Sequence, residues 1–477
     1  MPRVSKFYRL GKSQAELDFV DVPVGGDMPL FIDPFAISQR VDRLSEKCQR
    51  LIATFFQNVV DSIRSGRERE AKQLLLNLRE PNETRFGYSS GVPQGAGIGR
   101  YQAQQLFEAL RESSAVKTGF ISSLEESELM IDGISYDKIS DLTTNVIRML
   151  LAEYTKQQCL LLGIPTQEVA LAPHFSPDAN RWVSQYFDLP VAGGRPLLLV
   201  PKAFARYDPA YNHHTYYRRF VVDYLRTEAL DADSSLVHTL KNGRRVVYVK
   251  DVQATFPCTK ENLFQFSRQH PEVLGEYRDE LTKLEQKGPT ALVTPKDERL
   301  IAKTIATALR SIPPGGDSAS EYHSLMIGVV EFLFFPKLLH PAKEREIHEG
   351  RKRIDISMEN GARAGIFYRL HQIRKLPCAF VAFECKNYSR DVANPELDQL
   401  AGRFSVNRGK FGILCCRSFR DRKLFLKRCR DTLKDDRGLI IPLDDKRVLG
   451  LLGLIVKGEQ RFLDNRITEF VDEVWCD

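Results

Sequence analysis

The chain has 477 residues and a formal net charge of +7, with 43% hydrophobic and 27% charged residues. This length suffices for two or three domains that each bury their own core, and the apolar and charged fractions are typical of a soluble globular protein. The longest apolar run, Val448–Val456, is far shorter than a bilayer span, so we expect no membrane partner.

The nine cysteines are scattered, with no CxxC pair and no zinc-like spacing to histidine. An odd and scattered set is typical of reduced thiols. The first residues, Met1–Tyr8, lack the basic-then-apolar pattern of a secretory signal. We therefore expect a cytoplasmic protein.

The excess positive charge is confined to the C-terminal part of the chain. Residues 301–477 hold 31 Lys and Arg against 24 Asp and Glu, whereas the first 300 residues hold 38 of each. A basic region of this kind suits a polyanionic partner, although a balance of +7 over that length is also common in proteins that bind no nucleic acid.

The first 310 residues predict a larger, mixed α/β region. Apolar residues at helical spacing indicate amphipathic helices, and short apolar runs indicate strands. The predicted helices are residues 44–64, 137–162 and several segments within 260–310, and the predicted extended segments are residues 16–24, 29–34, 197–200 and 246–249.

The sequence Ser-Ile-Pro-Pro-Gly-Gly at residues 311–316 interrupts the helical pattern sharply. We predict the main domain boundary there, with a recognition or regulatory region at 1–310 and a second domain at 311–477. A further division of the first region near residue 130 is an option.

Two short strands past this boundary carry acidic residues where a core strand is ordinarily apolar. One contains Asp355, and the other, Phe380–Lys386, contains Glu384. Side chains two residues apart on a strand share a face, so Lys386 should lie beside Glu384. Two neighbouring carboxylates suit a divalent cation, although strand-end salt bridges without a metal give the same pattern.

The spacing of Asp355, Glu384 and Lys386 resembles the signature of the PD-(D/E)XK nuclease superfamily, in particular Mrr-like restriction nucleases. Ile354 stands where that signature has proline. The order of predicted elements also resembles the restriction-endonuclease-like α/β core with its central mixed sheet. These elements are a helix at 318–335, strands at 344–347, 352–358 and 379–385, a helix at 395–407 and a strand at 411–416.

The resemblance implies a metal-dependent phosphodiesterase. Asp355 and Glu384 would bind Mg²⁺, for which Mn²⁺ would substitute, with the carbonyl of Cys385 as a further ligand. Lys386 would position or activate the attacking water. Gln399, on the following helix, would face the same cleft, although a polar surface position is an equal alternative.

Related nucleases often add a glutamate from the first helix to the metal site. Glu321 lies early in that helix and Glu331 lies deeper, and ten residues correspond to a rotation of about 280°. Only one of them can therefore reach the site. We favour Glu321, and a solvent-facing glutamate favoured by the helix dipole is the alternative.

Basic residues flank the predicted site on both sides. Arg351, Lys352 and Arg353 precede Asp355, and residues 403–430 contain ten Lys and Arg against Asp421 alone. Such a surface suits contact with a phosphate backbone, although solvated charges look the same. The predicted nucleic-acid contacts are Arg351, Lys352, Arg353, Arg403, Arg408 and Lys410.

The sequence thus predicts a Mg²⁺-dependent endonuclease that acts on DNA, and the resemblance implies a role in prokaryotic restriction or anti-phage defence. Partner defence proteins and a homo-oligomer are options that it leaves open. One alternative is an inactive nuclease-fold module that binds nucleic acid or serves as a sensor. Another is an RNA-directed nuclease.

Overall fold

The structure is a computed structural model and describes residues 1–87, 99–286, 292–343 and 356–476. It is a mixed α/β protein, as the sequence predicts, with a five-stranded mixed sheet in the C-terminal region. None of the described helices is long and apolar enough to cross a membrane.

The N-terminal region is mainly helical, with four separate two-stranded sheets among its described residues. Its helices are α1 (Val4–Phe7), α2 (Pro34–Ser38), α3 (Arg43–Arg64), α4 (Glu68–Leu75), α5 (Gly99–Glu112), α6 (Ser114–Lys117), α7 (Ser127–Met130), α8 (Tyr136–Leu162), α9 (His213–Tyr216), α10 (Val222–Asp231), α11 (Val249–Thr255), α12 (Lys260–Gln269) and α13 (Pro271–Gln286). Its strands are β1 (Phe31–Ile32), β2 (Gln167–Ser176), β3 (Arg181–Leu189), β4 (Val191–Ala192), β5 (Arg195–Pro196), β6 (Ala205–Arg206), β7 (Val237–Thr239) and β8 (Arg245–Val247).

The C-terminal region is built around one sheet, in the order β13-β12-β11-β10-β9. Strands β9, β10 and β11 pair antiparallel, whereas β11, β12 and β13 pair parallel. The elements are α14 (Pro295–Ser311), α15 (Ala319–Phe334), β9 (Leu338–Ala342), β10 (Ile356–Asn360), α16 (Gly365–Tyr368), β11 (Phe380–Lys386), α17 (Asn394–Ala401), β12 (Phe411–Cys416), α18 (Arg422–Lys434), β13 (Leu439–Asp444), α19 (Asp445–Lys457) and α20 (Leu463–Trp475).

Several sequence predictions agree closely with these bounds, and three do not. The predicted helix at 395–407 ends six residues early, because α17 stops at Ala401. The predicted strands at 16–24 and 197–200 are wrong, although both segments are largely buried. The backbone of the second segment bonds outside any ladder: Leu198 N–H donates to the Glu83 carbonyl and Leu199 N–H to Thr155 Oγ1. The predicted strand at 344–347 lies outside the described residues, as does the start of the one at 352–358.

The protein has two large hydrophobic clusters, one in each region. One fills the N-terminal region between α2 and α13, and the other surrounds the five-stranded sheet. Helix α14 packs with the second cluster, because its residues Ala302, Ile305 and Leu309 are buried there. The domain boundary at 311 remains a prediction. Helix α14, which precedes residue 311 in the chain, packs with the C-terminal region.

A buried ion-pair network joins the two regions at the edge strand β9. His340 Nδ1 lies 3.0 Å from Asp18 Oδ2, and His340 Nε2 lies 3.1 Å from Asp42 Oδ1. Burial alone would lower the pKa of His340, but the two carboxylates outweigh it and raise that pKa well above its usual value. His340 is therefore an imidazolium held between two carboxylates of the N-terminal region.

Candidate functional site

Strand β11 positions Glu384 and Lys386 on the sheet face covered by α17. Ala382 pairs with Gly412 of β12 and shares a face with Glu384 and Lys386. A Cβ at Gly412 would lie only 2.8 Å from Phe404, just after α17, and 3.0 Å from a methyl carbon of Leu400. Glycine at this position therefore allows α17 to approach the sheet closely. The opposite face packs against α15.

The Glu384 carboxylate is buried and is compensated by two cations. Its side chain is 1% exposed, and Lys386 Nζ lies 2.6 Å from Oε1. The guanidinium of Arg403, itself 2% exposed, pairs with Oε2. The structure thus brings Glu384 and Lys386 together as predicted, and adds a cation that the motif does not contain.

Gln399 also reaches this site from α17. Lys386 Nζ donates a hydrogen bond to Gln399 Oε1 at 3.2 Å. Helix α17 begins at Asn394, and the side chain of Glu396 accepts a hydrogen bond from Ala393 N–H at 2.7 Å. Gln399 is itself exposed on α17 and contacts Lys386, so both the cleft-facing and the polar surface interpretation fit its position.

The predicted DNA contact Arg403 is not on the surface, because it is buried against Glu384. Arg408 and Lys410 are partly exposed, and Lys410 pairs with Asp436 at 2.9 Å. Other basic residues of 403–430 are also occupied: Arg417 pairs with Asp445, and Arg422 with Glu473. The exposed bases of this stretch are Arg420, Lys423 and Lys427. The basic surface is consequently smaller than the sequence suggests.

The two helix glutamates lie in different surroundings, as their separation along the helix predicts. Glu321 is exposed in the first turn of α15. Glu331 is buried 2.8 Å from Lys202 of the N-terminal region, and burial raises its pKa to about 7. Glu331 therefore serves the interface between the two regions.

Asp355, Arg351, Lys352 and Arg353 lie outside the described residues. The described ladder between β10 and β11 ends with Ile356 opposite Phe383, the residue before Glu384. Within the described ranges, no group of three or more His, Cys, Asp and Glu side chains is arranged to hold a metal ion.

Sequence reasoning missed a set of contacts that ties the segment at 311–316 to the end of β11. Asn387 Nδ2 donates to the carbonyls of Pro313 and Gly315 at 3.1 and 2.7 Å. Arg417 donates to the Ile312 carbonyl at 2.7 Å and pairs with Asp445 at 2.9 Å. The only available signal was the polar Asn387 directly after a buried strand.

Comparison with known proteins adds one match. A family model described as a domain of unknown function, DUF8370, matches residues 9–212, which lie within the N-terminal region. No curated protein matches the chain, and no solved structure matches it. The region that contains Glu384 and Lys386 is therefore interpreted from its own residues.

Proposed function

We propose that the C-terminal region is a metal-dependent endonuclease with a restriction-endonuclease-like core, which hydrolyses phosphodiester bonds in DNA. The observation that carries the proposal is the convergence of Glu384, Lys386 and Gln399 at the end of one strand. The element order α15, β9, β10, α16, β11, α17 and β12 supports it, because apart from the short helix α16 that order is the one the resemblance implies.

The donor types at this site fit Mg²⁺, which prefers carboxylate and carbonyl oxygens. In the proposal, Asp355, Glu384, the Cys385 carbonyl and Glu321 would hold the ion, and Mn²⁺ would substitute. When bound, the ion would polarise a phosphoryl oxygen and activate a water. The carboxylate of Glu384 would have to release one of its two cationic partners, Lys386 or Arg403, to make room for it.

Lys386 is the residue with the clearest chemical role. Its side chain is 13% exposed, and its ammonium is held by Glu384 Oε1 and Gln399 Oε1. A cation fixed in this way can hold a water by hydrogen bonding and stabilise the negative charge that develops on a phosphoryl group. Gln399 would fix the direction of the ammonium.

Arg403 favours a second candidate function, a nuclease-fold module that binds nucleic acid or serves as a sensor without hydrolysis. Its guanidinium already supplies positive charge to Glu384, as a metal would. A divalent ion bound there would be repelled by two cations, Lys386 and Arg403, instead of neutralising a pair of carboxylates. This candidate predicts that the protein binds Mg²⁺ weakly and leaves nucleic acids intact.

The deciding experiment incubates the full-length protein with plasmid DNA, single-stranded DNA and RNA, with Mg²⁺, Mn²⁺ or EDTA. The proposal predicts that DNA is cut with either metal and not with EDTA. Cleavage of RNA alone favours the RNA-directed nuclease. Retention of DNA or RNA without cleavage favours the binding module. A role in defence, with partner proteins or as a homo-oligomer, is part of the proposal that follows from the resemblance.

A further inference from the structure

A cavity in the N-terminal region has the chemistry of a binding site for a small anion. It has a volume of about 170 Å³ and lies between the turn at Asn82–Thr84, the β2–β3 hairpin and β5. We propose that it binds an organic anion, a phosphate or carboxylate group joined to a small apolar group. The polar and apolar residues that define it are Asn82, Glu83, Arg85, Leu171, Leu189 and Arg195.

Arg85 is the strongest indication of a ligand. It is 4% exposed, and its buried Nε has no hydrogen-bond acceptor among the residues that the structure describes. Burial, and then the neighbouring Arg195, lower the pKa of Arg85, whereas Asp27 and Glu83 oppose this change. An unsatisfied buried donor is unfavourable, most of all when it is charged. An anion in the cavity would satisfy it.

The wall of the cavity holds more guanidinium groups than carboxylates. Glu83 is engaged by Arg148, whose Nε donates to Glu83 Oε1 at 2.7 Å. Arg148 is fully buried, and its Nη2 also lacks an acceptor within the described residues. Among the residues that line the cavity, two arginines, Arg85 and Arg195, thus stand against one carboxylate, that of Glu83, which already pairs with Arg148. This balance favours an anionic ligand over a cationic one.

The apolar lining and the size narrow the class of ligand. Leu171 and Leu189 are 5% and 1% exposed, and Ala170, Ala172 and Pro196 complete the apolar wall. Since one water occupies about 30 Å³ of liquid, the cavity holds the equivalent of about five or six waters. That space suits a phosphate or carboxylate with one small ring or short chain.

The test is calorimetric titration of the full-length protein with phenyl phosphate, benzoate, inorganic phosphate and neutral benzyl alcohol. We expect saturable binding of phenyl phosphate or benzoate, weaker binding of inorganic phosphate and none of benzyl alcohol. Arg85→Gln and Arg195→Gln should each weaken binding by about tenfold or more, since a charge-assisted hydrogen bond is lost. Arg181→Gln, an exposed arginine on the same hairpin, is the matched control and should bind as the wild type does.

Ala170→Leu provides a test that leaves both arginines in place. Ala170 is exposed at the wall of the cavity, so a larger side chain there should obstruct it without disturbing a core. The proposal is overturned if neither anion binds, if benzyl alcohol binds as well as phenyl phosphate, or if Arg195→Gln and Ala170→Leu both retain wild-type affinity. These readouts need no cleavage of nucleic acid, so they are independent of the proposed nuclease.

Discussion

Replacement of His340 by asparagine should weaken the junction between the two regions of the protein. His340 has φ +53°, in the left-handed region that asparagine tolerates better than most residues, so backbone strain is nearly constant. The substitution removes the cation between Asp18 and Asp42, whose side chains are both 0% exposed. Loss of one partner from a buried ion pair costs about 3–5 kcal/mol.

The lower half of that range applies to His340→Asn, because both carboxylates keep other hydrogen bonds. Tyr154 donates to Asp18 at 2.7 Å, and Ser45 Oγ donates to Asp42 at 2.8 Å. We therefore expect the free energy of unfolding to fall by about 3 kcal/mol. This is a large fraction of the ~5–15 kcal/mol that stabilises a typical protein.

The two tryptophans of the chain allow each region to be followed separately. Trp182 lies in β3, and Trp475 ends α20. Single-tryptophan versions, made with Trp182→Phe or Trp475→Phe, are unfolded in urea and followed by fluorescence. We expect the two transitions to coincide in the wild type and to move to lower urea and separate when His340→Asn is added.

His238→Asn is the matched control. His238 lies 2.8 Å from Asp251, but its side chain is 50% exposed, and exposed pairs contribute about 0–1 kcal/mol. If the urea transitions of His340→Asn overlay those of the wild type, or shift only as much as those of His238→Asn, the imidazolium does not hold the regions together.

Three further outcomes follow from the same contacts. The stabilising effect of the His340 cation is complete below the unfolded pKa of 6.5, and it is lost as the pH rises towards the raised folded pKa. The unfolding free energies of wild type and His340→Asn should therefore differ most between about pH 4 and 6.5, and they should converge as the pH rises from 6.5 towards the folded pKa. Arg403→Met removes a partner of buried Glu384, so the urea midpoint should fall by the equivalent of about 3–5 kcal/mol. Calorimetric titration should show tighter Mg²⁺ binding by this variant, because a cation has left the site. An unchanged midpoint and an unchanged Mg²⁺ affinity would contradict this prediction. Gly412→Ala places a Cβ 2.8 Å from Phe404, so thermal melting should show that the free energy of unfolding falls by about 1–3 kcal/mol. A melting curve identical to that of the wild type would show that α17 can move away from the sheet without strain.

Elements with a strong local pattern could be predicted from the sequence. Helix α8 and strand β12 agree with the predicted ranges at 137–162 and 411–416 to within a residue at each end. Both have apolar residues that repeat at their own period, so local pattern and tertiary packing agree. The predicted strand at 16–24 failed because its backbone makes single hydrogen bonds to other segments, as Val20 N–H does to the Val200 carbonyl, and forms no regular ladder.

The candidate site could be predicted only where one strand determines it. Glu384 and Lys386 share a face because they are two residues apart, and this follows from strand geometry alone. The pairing of Arg403 with Glu384 depends on where α17 lies, which the close approach at Gly412 permits. The His340 network depends on residues more than 290 positions apart, and no local pattern contains that information.

The N-terminal region contacts the sheet far from the candidate site. It packs on α15 and on the edge strand β9, where Gln158 donates to the Pro341 carbonyl at 2.8 Å. It also contacts β10, where Arg43 N–H donates to Glu359 Oε2 at 2.7 Å, but Glu359 pairs with Phe380, at the opposite end of β11 from Glu384. Glu384 lies on the face of the sheet that α17 covers. Control of the proposed nuclease by the N-terminal region would therefore act through the sheet and α15 rather than by direct contact between the described parts of that region and Glu384.

The rate of plasmid cleavage by Lys386→Met, in the presence of Mg²⁺, tests the proposed chemistry most directly. The substitution removes the ammonium while Glu384 keeps Arg403, and Lys303→Met, an exposed lysine on α14, is the matched control. We predict that Lys386→Met loses at least about 100-fold in rate, that Lys303→Met cuts as the wild type does, and that EDTA abolishes cleavage by both the wild type and the control. Cleavage by Lys386→Met at the wild-type rate, or cleavage that persists in EDTA, would contradict the proposed role of this site.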